Sequence, residues 1–222
     1  MKHLSHQNNF IYLCLALVGL LFSAALVQEF SHSWVNEIFS VIIILMLIVS
    51  IRSLKAELLW QKAVYILTAL SLVLTVVTNL FELHFVYNFN LLVLLIFFIG
   101  SFFIAFKQIV FVGEVDRNKL IGSLSLYLLL GLIWTTIYLL LLTVDPNAFS
   151  GVTEASWQHN FSQIAYYSFV TLTTLGYGDI LPTNRLAEFF VYMEAIVGVF
   201  YMAIVVSSLI SLKLSPPTNR GE

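Results

Sequence analysis

Nine consecutive residues, Thr171-Leu172-Thr173-Thr174-Leu175-Gly176-Tyr177-Gly178-Asp179, carry groups suited to holding an ion rather than to making or breaking bonds. Gly176 and Gly178 flank a single residue, and glycine adopts φ angles that other residues resist. Successive carbonyls can then face one side. Such a row, with the Thr174 hydroxyl, can replace the hydration shell of a cation. The rest of the chain offers little catalytic chemistry. His3, His6, His32, His84 and His159 all fall in tails or loops, whereas a haem oxidoreductase needs axial ligands within its helices. His3 and His6 are spaced to share a helix face, a pairing given little weight as a metal site. With no nucleophile–base pair or metal-ligand cluster apparent, neither an enzyme nor a bound cofactor is expected.

These nine residues need elements that can present them. Phe161 to Thr174 is apolar and helix-compatible but only 14 residues long, about 21 Å at 1.5 Å per residue, too short to cross a bilayer. It reads as a re-entrant helix, which is tolerated at membrane depth only when buried in protein or lining water. Its dipole would aim a partial negative charge at the ion path. The preceding stretch, Asp145 to Asn160, is polar and turn-rich, with Pro146, Asn147, Ser150 and Gly151.

The wider composition demands a membrane. Of the 222 residues, 60% are hydrophobic and 10% charged, against about 25% charged in soluble domains. A net charge of −2 leaves no basic footprint for nucleic acid, and one cysteine cannot form a disulfide framework. Cys14 reads as an inert apolar residue. Six apolar runs approach the ~20 residues a bilayer core requires: Phe10–Val27, Ile38–Ile51 (extended through Trp34 and Val35), Ala63–Phe81, Phe89–Phe106, Leu120–Val144 and Leu186–Leu212. All must be helical, because open sheet edges do not occur in lipid.

Basic residues set the orientation, since their excess marks the cytoplasmic side. With the N-terminus inside, Lys2, Arg52, Lys55, Lys62, Lys107, Arg117, Lys119, Lys213 and Arg220 are cytoplasmic and only Arg185 lies outside. Both termini are then cytoplasmic. A cleaved signal peptide ending near Ser23-Ala24-Ala25 is the rival reading of the first run. At 18 residues that run is longer than a usual signal core, so a retained helix is expected.

The nine-residue stretch, set between two spans and facing outside, resembles the potassium channel family, and the resemblance covers Leu120 to Leu212 as outer helix, pore helix, filter and inner helix. It implies an all-α integral membrane fold: six transmembrane helices, with a re-entrant pore helix and filter loop between the fifth and sixth. It further implies two parts: residues 1–112, a four-helix bundle like a voltage sensor without gating charges, and residues 113–222, the pore domain. Because one chain holds one filter motif, three further copies would complete a homotetrameric ring. By the same resemblance Thr174, Leu175, Gly176 and Tyr177 supply the oxygens that coordinate K+, and Gly178 completes the outer mouth. Tyr177 would turn its ring away from the pore. Tyr166 and Tyr167 take the place of a tryptophan pair in an aromatic cuff, with Asp179 hydrogen-bonded at the Tyr166 position. Gly198 would be the gating hinge, its bland alternative being close helix packing. With helical spacing, the resemblance puts Val199, Met202, Val206 and Ile210 on a pore-lining gate. Two departures stand out: Leu175 replaces the commoner valine, and Val205-Val206-Ser207 replaces the Pro-x-Pro kink of voltage-gated relatives.

Two charged features complete the reading. The fourth run lacks an arginine ladder and has only Lys107 at its end, so strong voltage dependence is not expected. Glu194 stands eight residues into the last run, about 12 Å below the helix start. An acid there needs protonation or hydrogen bonds, and Ser168 or Thr171 on the pore helix are the expected partners. The expected function is passive potassium conduction, with K+ and membrane lipid as partners, no nucleic acid, and a bacterial inner-membrane location by analogy. A weakly selective cation channel and a non-conducting scaffold or silent subunit remain the alternatives.

Overall fold

The computed structural model describes residues 9–29, 33–53, 58–81, 84–110, 117–153 and 156–207. Among these described residues seven α-helices dominate: α1 (Asn9–Glu29), α2 (Ser33–Ser53), α3 (Leu58–Phe81), α4 (His84–Val110), α5 (Arg117–Val144), α6 (Trp157–Leu172) and α7 (Arg185–Phe200). Two short strands, β1 (Phe149–Ser150) and β2 (Leu181–Pro182), pair antiparallel on either side of α6. Near-continuous Leu, Ile, Val and Phe leave these helices few alternatives, because only a helix satisfies its own backbone in an apolar setting.

Among the described residues, three stretches are long and apolar enough to cross a membrane: Asn88–Ile109, Asn118–Val144 and Arg185–Val205. Helices α1 to α3 carry shorter apolar stretches, Phe10–Leu26, Ile38–Val49 and Trp60–Leu74. The helices themselves run 21, 21 and 24 residues, roughly 32–36 Å at 1.5 Å per residue, which matches a bilayer core in length.

The first four helices are not a satellite. Helix α1 packs against α2, α5 and α6, and α4 lies along α5. Phe39 of α2 meets Phe161 of α6 edge to face, with ring centroids 5.3 Å apart, and both rings are fully buried. Polar ties reinforce the seam: the Phe10 amide donates to Asn118 Oδ1 at 3.2 Å and the Ser125 hydroxyl to the Phe10 carbonyl at 3.4 Å. Phe97, Phe98, Phe161 and Tyr138 fill the same continuous core.

Helix α6 is longer than the Phe161–Thr174 segment expected from hydrophobicity, and it is shifted. It starts at Trp157 because the Ser156 side chain caps it, accepting from the His159 amide; a serine there satisfies one of the free amides of the first turn. It ends at Leu172, where Thr173 is the cap residue. Helix α7 runs on into a π-helical turn, Tyr201–Val206, a local widening often found at functional positions. The chain termini, with Lys2, Lys213, Arg220, His3, His6 and the gate candidate Ile210, lie outside the described residues.

Candidate functional site

The stretch after α6 is defined by its backbone. Thr174, Gly176 and Gly178 have φ of 61°, 56° and 79°, so every second residue is left-handed. That alternation is the condition for successive carbonyls to turn to one side instead of alternating as they do in a strand. Glycine takes such angles freely; threonine does not, and Thr174 is the one non-glycine residue with positive φ among those described. The turn into this stretch is held by α6 itself: the Leu175 amide reaches the Val170 carbonyl at 2.9 Å and the Gly176 amide reaches the same oxygen at 3.3 Å. Thr173 through Asp179 are exposed on the single chain.

Behind this stretch the two tyrosines of α6 diverge. Tyr166 stacks on Tyr177, with centroids 6.5 Å apart and planes 12° from parallel. Its hydroxyl is hydrogen-bonded to Asp179, whose carboxylate raises the phenol pKa above its usual value. Tyr167 points elsewhere. Its ring lies 5.5 Å from both Tyr138 and Phe149, and its hydroxyl is bonded to Thr171. The single cuff expected of both residues is therefore divided, because neighbours on a helix point about 100° apart. Tyr166 backs the Tyr177 layer, and Tyr167 joins a cluster against α5 and β1.

Glu194 is fully buried where α5, α6 and α7 meet. Ser168 lies 2.6 Å from Oε1, and the Tyr138 hydroxyl lies 2.5 Å from Oε2. Ser168 is one of the two expected partners. Thr171, the other, pairs with Tyr167 instead. Tyr138 escaped the sequence reading, since it lies 56 residues away on a helix whose inward face has no distinctive pattern.

Gly198 is buried against the end of α6. A Cβ on it would come 2.2 Å from the Leu172 carbonyl oxygen, so the residue admits a close backbone approach. This geometry favours packing over a hinge at Gly198, and the π-helical turn begins three residues further on. Val199 and Met202 are both about half exposed on the single chain. Val206 closes the π-helical turn.

The loops around this stretch are tied in part by two residues the sequence did not flag, Asn184 and Gln163. Asn184 caps α7 by accepting from the Ala187 amide, while its Nδ2 donates to Asp145 Oδ2 at 2.8 Å, joining the end of α5 to the start of α7. Gly151 takes φ of +81°, and a Cβ there would strike the Asp179 carbonyl at 2.3 Å. Its own carbonyl accepts from Gln163 Nε2 at 2.6 Å.

This arrangement of outer helix, short helix, left-right alternating segment and inner helix coincides with a match to a family model. The model is described as ion channel, and it covers residues 124–213. Residues 124–213 are similar to an ion channel domain. That likeness, with the long apolar helices, supports an integral membrane protein that passes ions and not an enzyme. Neither a curated protein nor a solved structure matches it. The match begins within α5 and includes the alternating stretch, Glu194 and Gly198, whereas α1 to α4 lie outside it.

Proposed function

We propose that this protein is a homotetrameric, potassium-selective channel with six membrane spans per subunit. The observation that carries the reading is the alternation of positive φ at Thr174, Gly176 and Gly178 on a Thr-Leu-Gly-Tyr-Gly sequence. Four such segments around an axis would offer stacked rings of oxygen from Thr174, Leu175, Gly176 and Tyr177, each replacing water around K+. Gly178 opens the outer mouth. Exposure of these residues on one chain fits a site that needs its other copies. Helix α6 enters from the outer side and stops at Leu172, as a re-entrant pore helix does.

The lengths of α1 to α3 and the nine-to-one division of Lys and Arg support six spans with both termini cytoplasmic, and lipid then contacts the outer faces. Val199 and Met202, exposed on the single chain, offer apolar side chains for a constriction that closes the path by excluding water. Helix α4 contributes only Lys107 to any voltage response. Steep voltage dependence takes three or four charges per subunit, at about 2.3 kcal/mol per charge per 100 mV. Compact loops suit a bacterial inner membrane.

The deciding experiment is bi-ionic recording on purified protein in lipid bilayers, with K+ on one side and Na+ on the other. A reversal potential set by K+ is expected. Equal permeabilities would replace this reading with a weakly selective channel, and absence of any current would favour a scaffold or silent subunit.

A further inference from the structure

The contacts around Glu194 do not balance if its carboxyl is ionised. Ser168 Oγ lies 2.6 Å from Glu194 Oε1 and also 2.9 Å from the Gly131 carbonyl oxygen. A serine hydroxyl carries one proton. If that proton goes to a carboxylate, the Ser168 and Gly131 oxygens face each other at 2.9 Å with no hydrogen between them. Ser168 is fully shielded, so no water relieves the contact.

A neutral acid resolves every contact. Glu194 Oε1–H donates to Ser168 Oγ, Ser168 donates to the Gly131 carbonyl, and the Tyr138 hydroxyl donates to Oε2, now the carbonyl oxygen. All three distances suit an O–H···O bond. The surroundings agree. Among the described residues, the titratable groups that interact with Glu194 are the phenols of Tyr127 and Tyr138 on α5 and Tyr167 on α6. No lysine or arginine among the described residues acts on it, and a buried carboxylate without a cation is strongly disfavoured. The nearby C-terminal end of α6 adds partial negative charge, which also opposes ionisation.

We propose that Glu194 is a neutral carboxylic acid and a positioning residue: through donation to Ser168 and acceptance from Tyr138, it locks α5, α6 and α7 at one level and holds the end of the pore helix in place for ion selection. Ser168 stands one turn before Leu172, from which the alternating segment departs. The role in selection rests on the filter reading above; the protonation state does not.

The test uses the full chain in lipid vesicles at neutral pH, unmodified and as Glu194→Gln, Glu194→Ala and Ser168→Ala. Glutamine reproduces the donor and acceptor of a neutral acid, since its amide nitrogen can donate to Ser168 while its oxygen accepts from Tyr138. Infrared spectra should show the carbonyl band of a protonated carboxyl in the unmodified protein, absent from Glu194→Gln. The permeability ratio of K+ to Na+ should stay within about threefold in Glu194→Gln and fall at least about tenfold in Glu194→Ala and Ser168→Ala, where buried partners are stranded. Identical spectra in the carboxyl region, or a glutamine variant as impaired as the alanine one, would show that the charged form is required and overturn the proposal. Normal selectivity in all variants would overturn the positioning role. If Glu194→Ala fails to assemble, the band and the glutamine variant still decide. Lack of selectivity in the unmodified protein would count against the filter reading alone, with the band still reporting the proton.

Discussion

Gly198→Ala isolates the close approach between α7 and the end of α6. The added methyl would lie 2.2 Å from the Leu172 oxygen. Restoring a contact of 3.4 Å means that one of the two backbones retreats by about 1.2 Å. The struck atom is main chain and cannot swing aside, so the steric cost belongs near the upper end of overpacking values, about 3 kcal/mol. Alanine returns about 1 kcal/mol of helix propensity, leaving a net loss of roughly 2 kcal/mol. For a chain of this length that lowers the melting temperature by roughly 4–8 °C. Leu172 is two residues from Thr174, and binding sites tolerate about 0.5 Å of displacement, so under the proposed function potassium selectivity should fall as well. Thermal unfolding of detergent-purified protein, paired with bi-ionic recording, reads both effects. Gly19→Ala is the control: no atom lies within 4 Å of its added methyl, and the variant should melt no lower than the parent. A Gly198→Ala protein that melts and selects normally would refute the packing argument, and an altered open probability in such a protein would assign Gly198 to a hinge instead.

Three further outcomes are expected. Gly178→Ala, at φ of +79°, should cost about 1–2 kcal/mol in the backbone of the alternating stretch and, if that stretch is the proposed filter, reduce single-channel conductance, measured in planar bilayers. Asn184→Ala removes both the α7 cap and the bond to Asp145. It should lower stability by about 0.5–2 kcal/mol in thermal unfolding while leaving the permeability ratio close to the parent. Open probability should vary little between −100 and +100 mV, a range over which each true gating charge would be worth about 4.6 kcal/mol; recordings that yield several gating charges per channel would contradict the role given to α4.

What the sequence disclosed was the chemistry that lies within a few adjacent residues. Thr174 to Asp179 declared themselves because glycine spacing dictates backbone angles locally. The partner expected for Glu194 on the pore helix was accessible because helix pitch converts position into depth. The positive φ of Thr174 was not legible, since no rule of composition asks threonine to adopt it; it goes with the turn in which the Leu175 and Gly176 amides both donate to the Val170 carbonyl and the Thr174 amide to that of Thr171. Tyr138 was hidden for another reason: one tyrosine among many apolar residues of α5 gives no sign of facing an acid 56 positions later. The start of α6 was misplaced because Gln158, His159 and Asn160 look like loop residues, whereas Gln158 and Asn160 are buried within the helix. The edge-to-face contact of Phe39 with Phe161 depends on how α2 is laid against α6, a property of tertiary packing alone.

The short ladder between β1 and β2 has a consequence for where the cost of ordering falls. By joining Ser150 to Leu181, 31 residues apart, it closes a neck around α6 and the alternating stretch. The length-dependent part of closing such a loop is about 3 kcal/mol and grows only with the logarithm of its length. With Gly151 seated against the Asp179 carbonyl and the Leu175 amide on the Val170 carbonyl, both ends of that stretch are anchored by contacts within one chain. In the proposed tetramer, subunits must find mutual orientation but need not close this loop for one another, so its entropic cost falls on each chain separately.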